Sequence, residues 1–245
     1  MGVGYNPKIV TDQLSMYVDV SNPKSWPGSG TKWYDLGPNK LEFTATGATQ
    51  TPEETIGGVK SFAFNGSGYW ECGTNFSTVD FGGDCTLLMW MRSEDNTTRK
   101  TIFEKAGTTY ASYQQEIAVT WETSDAFSYY SRYDISSGNP GLSYDYASAE
   151  AVSLNAWSLL GIKMSSGKTT TARTGFWSIN GNAWTANYIS RTAVAVTPSG
   201  AIRIGTGYAG TIDNGNIGSV ICYNKMLNDA EIQQNFNALR GRFGI

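Results

Sequence analysis

Short runs of alternating apolar and polar residues, separated by turn-forming residues, recur along most of this chain. Phe62 and Phe64 fall on one face of residues 61–65, and residues 86–92 are apolar on both faces. A period of two matches the pleat of a β-strand, and a run that is apolar on both faces is typical of a fully buried strand. The chain is therefore predicted to be built from β-strands.

The same alternation predicts further strands and the turns between them. These strands are residues 101–105, 115–121, 127–133, 157–164, 174–179, 183–187, 201–205 and 217–223. Asn180-Gly181 supplies the two positive φ angles of a type I′ hairpin turn. Residues 22–30 and 37–52 are crowded with Pro, Gly and Ser or Thr, so we expect long ordered loops or edge segments there.

A helical pattern occurs near the C-terminal end, over residues 228–240. Asn228 and Glu231 have the spacing of a capping box, which satisfies backbone N–H groups at a helix start. The apolar face of this helix is Ile232, Phe236 and Leu239. We expect the helix to pack on the strands through these side chains.

The chain length of 245 residues suits one domain. The prediction is a single domain over residues 1–245: an all-β, antiparallel two-sheet β-sandwich of the jelly-roll type, with one short C-terminal α-helix. Residues 1–11 precede any core-forming pattern and are predicted to be an N-terminal arm.

Composition excludes several classes of function. The chain has no His, which removes Ser-His-Asp catalysis and His-ligated zinc. A net charge of -3 disfavours binding to nucleic acid or to an anionic membrane. No segment is apolar enough to span a membrane, and residues 1–10 do not resemble a secretion signal. Three Cys without a C-x-x-C spacing are expected to be free, buried thiols.

Enzymatic hydrolysis of sugars is not expected from the acidic residues. Glycosidases on a sandwich of this type place carboxylates at alternate positions of one strand, about 5 Å apart. The one acidic pair with that spacing is Asp229 and Glu231, which lies at the helix start. A pair assembled from two strands is left open, but the prediction is that the protein is not an enzyme.

Calcium is the candidate metal, because carboxylate and amide oxygens are its preferred ligands. Asp80 and Asp84 flank one oxygen-rich turn, and Asp213 begins another. The same residues are common in turns without a metal, so the prediction is no cofactor, with calcium as the alternative.

Four tryptophans are candidates for binding a glycan. Trp26, Trp33, Trp121 and Trp184 fall in or beside predicted loops, where an exposed indole could stack on a sugar ring. The alternative is that they close the ends of the sandwich or a subunit interface.

Several stretches resemble laminin-G-like, concanavalin-A-like lectin jelly-roll domains. The matching stretches are Phe64-Asn65-Gly66 with Tyr69-Trp70, Thr86-Leu-Leu-Met-Trp90, Trp157, Trp177-Ser-Ile-Asn180-Gly181, Gly210-Thr-Ile-Asp213 and Val220-Ile-Cys-Tyr223-Asn-Lys-Met-Leu227-Asn-Asp-Ala-Glu231-Ile232. Two departures are Asn65, where the family usually has Asp, and Ser158, where it often has His. Residues 9–36 and 232–243 resemble a narrower group, the laminin-G-like virion proteins of tailed, myovirus-type marine bacteriophages.

The resemblance implies a non-enzymatic structural protein of a phage virion: a head decoration, a neck protein or a tail appendage. It implies other virion proteins as partners, a homo-oligomer within the particle, assembly in the host cytoplasm and contact with host-surface polysaccharide. The alternative function is a carbohydrate-binding adhesin module, and a polysaccharide-cleaving glycosidase is the least favoured. Tyr5, Ile9 and Val10 of the arm are apolar or aromatic, so we expect another subunit or virion protein to hold them.

Overall fold

The structure is a computed structural model that describes residues 7–47, 53–73, 78–95, 97–106, 115–123, 127–132, 152–165, 172–192, 200–207, 209–212 and 214–245. Its strands are β1 (Leu14–Asp19), β2 (Lys32–Tyr34), β3 (Glu42–Gly47), β4 (Glu53–Ile56), β5 (Val59–Phe64), β6 (Gly68–Cys72), β7 (Cys85–Ser93), β8 (Lys100–Ala106), β9 (Gln115–Trp121), β10 (Phe127–Arg132), β11 (Ser158–Met164), β12 (Ala172–Ile179), β13 (Thr185–Thr192), β14 (Ala201–Ile204) and β15 (Gly215–Tyr223). Its helix is α1 (Asp229–Leu239).

The strands form two antiparallel sheets, which confirms the predicted all-β sandwich with one C-terminal helix. Sheet A has the order β13-β12-β11-β7-β15-β5-β4, and β1 also pairs with β15. Sheet B has the order β10-β9-β8-β14-β6-β3-β2. Neighbours in both sheets are often distant in sequence, as expected for a jelly roll rather than a simple meander.

The main core lies between the two sheets and is rich in aromatic side chains. Trp33, Phe62 and Trp70 are almost fully buried there. The ring centroid of Phe62 lies 4.9 Å from that of Trp33 and 4.6 Å from that of Trp70. Contacts at these distances join β2, β5 and β6, so the packing holds the edge of sheet B against sheet A.

A second core lies between the outer face of sheet A and α1. Strand β7 supplies side chains to both cores because it is buried on both faces: Leu87 and Met89 face the main core, and Leu88 and Trp90 face α1. The ring of Trp90 stacks on Phe243, with centroids 4.2 Å apart. Sheet A is therefore covered on both faces where β7 lies.

The helix begins where the sequence predicts. Asn228 accepts a hydrogen bond from the Glu231 N–H, and the Glu231 carboxylate accepts one from the Asn228 N–H, which completes the capping box. Leu227 and Ile232 are fully buried beside this cap. Within the described residues, no helix is long and apolar enough to cross a membrane.

The predicted strands all occur, with ends shifted by a few residues, and residues 115–121 match β9. Asn180 and Gly181 have φ angles of 52° and 74°, and the Asn182 N–H donates to the Ile179 carbonyl, as in the predicted type I′ turn. Strands β1, β2, β3, β4 and β6 were not predicted, and β3 lies within residues 37–52. These strands are short or poor in β-branched residues, so pairing with neighbours decides their conformation.

Candidate functional site

The outer face of sheet B carries a row of polar side chains. Thr44, Glu71 and Arg203 lie directly opposite one another on β3, β6 and β14. Each is flanked along its strand by side chains of the main core, so the alternation of a strand directs the three outward. This face can offer hydrogen-bonding groups to a polar ligand.

Two carboxylates on this face share one arginine. The Arg203 guanidinium lies 2.7 Å from a Glu71 oxygen and 3.5 Å from a Glu104 oxygen. Glu104 is fully buried, because the segment after β14 covers it near Gly207. The two carboxyl groups of a glycosidase flank the scissile bond of the substrate, whereas Glu104 is fully buried and both carboxylates here contact the Arg203 guanidinium. The arrangement fits an ion-paired network better than an acid/base pair.

An open groove of about 480 Å³ lies at the β2 edge of sheet B. Its lining includes Lys24, Tyr34, Asp35 and Lys40. Tyr34 is 38% exposed, whereas most of the aromatic residues that the structure describes are buried. An exposed aromatic ring beside polar groups is the surface on which a sugar ring can stack.

Hydrogen bonds with Ser25 hold Tyr34 in place. The Tyr34 N–H donates to the Ser25 carbonyl at 2.8 Å, and the Ser25 hydroxyl donates to the Tyr34 carbonyl at 2.6 Å. The adjacent Trp33 is anchored in the main core. The backbone of Tyr34 is therefore held in one position. A ligand that binds the ring does not have to order this backbone, so less entropy is lost on binding.

The structure buries three of the four tryptophans proposed as glycan contacts. Trp26, Trp33 and Trp121 are 7%, 0% and 3% exposed, and all three belong to the main core. Trp33 and Trp121 lie in strands rather than loops. The expectation that these indoles are available for stacking is therefore wrong, and they close the sandwich instead.

Trp184 is half-buried on the other side of the molecule, against the second core. The Lys163 ammonium lies 4.6 Å from its ring centroid and donates to the Leu227 carbonyl at 2.9 Å. Burial lowers the pKa of Lys163, and the carboxylates of Asp229 and Glu231 partly offset this effect. The indole of Trp184 thus joins sheet A to the start of α1, and the structure does not bring it together with the groove residues.

The described residues contain no cluster of three or more acidic or thiol side chains that could hold a metal ion. Asp80 accepts a hydrogen bond from the Gly82 N–H at 2.8 Å, as in an ordinary turn. Asp84 is exposed nearby, and Asp213 lies outside the described residues. Calcium binding at these positions stays a prediction.

The described part of the arm, from residue 7 onwards, packs on its own chain. Val10 is buried in the second core, its N–H donates to the Asn235 side chain and its carbonyl accepts from the Tyr223 hydroxyl. Ile9 packs against the same core. The expectation that another subunit holds Val10 is therefore wrong, because α1 and β15 already cover it, whereas a contact of the half-buried Ile9 with another subunit stays a prediction. Tyr5 lies outside the described residues.

The groove residues Lys24, Tyr34 and Lys40 were not among the sequence-predicted site residues. A signal for Tyr34 was present: in β2, the alternation of Lys32, Trp33 and Tyr34 directs the indole inward and the phenol outward. Lys24 and Lys40 carry no pattern of their own, because only the folded loops bring them beside Tyr34.

No protein-family profile and no curated protein matches the sequence. Solved structures do match in fold. Trypanosoma rangeli sialidase is similar over 98% of this chain and 36% of its own chain, with a TM-score of 0.62 and 12% identity. The binding domain of botulinum neurotoxin DC in complex with SialylT is similar over 94% of this chain and 52% of its own, with a TM-score of 0.62 and 15% identity.

The same toxin domain in complex with rat synaptotagmin II gives a TM-score of 0.63 at 16% identity. The chain spans about a third of the sialidase and about half of the toxin fragment. At these identities the similarity establishes the fold alone, a two-sheet β-sandwich that also occurs in the chain of a sialidase and in a toxin binding domain.

Proposed function

We propose that this domain is a non-enzymatic, lectin-like module that binds saccharide on the outer face of sheet B, beside Tyr34. The observation that carries the proposal is the exposed Tyr34 ring in an open groove of about 480 Å³. A volume of this size is within the range of small-ligand sites, roughly 300 to 1,000 Å³. The lectin-like fold and the polar row on the same face support it.

The experiment is a glycan array on the purified protein, followed by calorimetric titration of the best saccharide. Replacing Tyr34 with Ala removes the stacking ring without opening the core, so binding is expected to weaken by at least about tenfold, or ~1.4 kcal/mol. Trp184→Phe is the matched control: it changes an aromatic side chain on the opposite face, and binding should not change. Undiminished binding by the Tyr34→Ala variant would refute the site, and an array without a single hit would refute the function.

The setting we propose for the module is the surface of a tailed-phage particle, where it contacts host polysaccharide. This part rests on the resemblance of residues 9–36 and 232–243 to virion proteins, and the trypanosomal and toxin structures add nothing to it. An antibody against the domain should label intact particles of the phage that encodes it, at several positions per particle. Labelling of infected-cell extract but never of purified particles would contradict the virion role.

A further inference from the structure

The charge of the groove beside Tyr34 indicates what kind of saccharide it accepts. Two ammonium groups, those of Lys24 and Lys40, line the groove together with one carboxylate, that of Asp35. Both lysines are exposed. Across the described part of the chain, neither ammonium is ion-paired with a carboxylate, and the Lys40 ammonium reaches only the Leu36 carbonyl, at 3.5 Å.

The Asp35 carboxylate offsets only one of the two ammonium charges and forms no ion pair with either lysine, because its oxygens accept hydrogen bonds from backbone N–H groups. One oxygen accepts hydrogen bonds from the N–H groups of Tyr17 and Gly37, each at 2.7 Å, and the other accepts from the Leu41 N–H at 3.3 Å. Asp35 is also 5% exposed. These hydrogen bonds hold the loop of residues 35–41 in place and so set the position of Lys40.

An exposed carboxylate beside Tyr34, that of Glu42, is also paired. Glu42 lies directly opposite Tyr34 on β3, and its carboxylate pairs with the Lys32 ammonium at 2.5 Å. The negative charge of Glu42 is therefore already neutralised by Lys32. The groove keeps a local positive charge on a chain whose net charge is -3.

Lys40 also has a backbone conformation that a lysine adopts rarely. Its φ angle is 51°, in the left-handed region that favours Gly or Asn. Such strain persists only where the surroundings over-determine it, and it is concentrated at binding sites. Gly would adopt this backbone conformation with less strain than Lys. We therefore expect the side chain of Lys40 to have a function that Gly could not provide.

We infer that the groove selects an acidic saccharide, a sugar ring with an anionic substituent that lies between the Lys24 and Lys40 ammonium groups while the ring stacks on Tyr34. This inference rests on the proposed function and specifies its ligand. The two ammonium groups would replace water around the anion with charge-assisted hydrogen bonds. A carboxylate and a sulfate ester offer the same charge, so the test separates them.

The test measures the affinity of the purified chain for three oligosaccharides of equal length: a uronate polymer fragment, a sulfated dextran fragment and a neutral dextran fragment. Binding of the uronate or of the sulfated fragment, at least about tenfold tighter than the neutral one, is the expected result and identifies the anion. This preference should disappear at about 1 M salt, where the Debye length falls to ~3 Å.

Lysine variants connect the preference to the groove. Lys24→Gln and Lys40→Gly should each weaken binding of the acidic fragment by about tenfold. The melting temperature of Lys40→Gly should be equal to or higher than that of the unchanged protein, because Gly removes the left-handed strain. If the loss of affinity were caused by unfolding, the melting temperature would fall instead. Lys8→Gln, which removes an exposed charge beside α1, is the matched control and should leave affinity unchanged.

The outcomes separate this inference from the proposed function. Equal or tighter binding of the neutral fragment, lost in Tyr34→Ala but kept in the lysine variants, would overturn the acidic ligand and leave the saccharide function standing. An equal loss with Lys8→Gln would overturn the groove as the source of selectivity. Absence of binding to all three fragments, and to every glycan of the array, would overturn both.

Discussion

Truncation of Phe236 tests whether α1 is an integral part of the sandwich. The side chain is 7% exposed and stacks on the fully buried Trp90, with ring centroids 5.8 Å apart. It also lies against the Asn180-Gly181 turn, since a Cβ placed on Gly181 would come within 2.6 Å of the Phe236 Cβ. Phe236 thus contacts sheet A at β7 and at the β12–β13 connection.

The size of the effect follows from these contacts. Replacing a buried Phe with Ala costs about 3–5 kcal/mol, and the position of Phe236 at the rim of the second core places Phe236→Ala near 3–4 kcal/mol. For a domain of this length, that corresponds to a fall in melting temperature of roughly 6 to 16 °C. Urea unfolding should show a lower midpoint with an unchanged slope.

Gln233→Ala, on the exposed side of the same helix, is the control and should change stability by less than about 0.5 kcal/mol. A loss of stability below about 1 kcal/mol for Phe236→Ala would refute the packing argument, because removing a buried side chain that stacks on Trp90 should destabilise the protein by more than this.

Three further predictions follow from local geometry. Asn228→Ala removes the capping box and should cost about 1 kcal/mol in urea unfolding, whereas Asn228→Ser should restore most of it. Gly205→Ala should cost about 2–4 kcal/mol, because φ is 93° and the new Cβ would lie 2.0 Å from a Phe64 ring carbon; a stable variant would contradict this packing. Burial raises the pKa of Cys72 to about 12 and raises that of Cys222, so the buried thiols should not react with a disulfide reagent at about pH 8 until the protein is unfolded.

The elements that could be predicted from sequence are those with a local cause. The turn at Asn180-Gly181 depends on two positive φ angles, and the start of α1 depends on side chains three residues apart. Strand β7 was evident from its unbroken apolar run. Strands β2 and β3 have no such local signal: β2 is three residues long and is held by pairing with β3 and by the burial of Trp33.

The candidate site was predicted less accurately than the fold, because the exposure of a side chain depends on the tertiary structure. Trp26 and Trp33 stand among loop-forming residues, but both indoles pack against Phe62 in the main core. Among the described residues, the exposed aromatic side chain is that of Tyr34, the neighbour of Trp33. Lys24 and Lys40 are sixteen positions apart in sequence and join one groove only after Ser25 and Asp35 fix the two loops.

Hydrogen–deuterium exchange with and without the best saccharide tests the central claim, that the ligand binds on the outer face of sheet B beside Tyr34. Binding there should slow exchange in β2 and in residues 35–41, which carry the groove. Exchange in α1 and in residues 7–14 should not change, because these segments lie against sheet A on the other side of the molecule. Protection confined to α1 or to the segment around Trp184, in a protein that demonstrably binds the saccharide, would contradict the account.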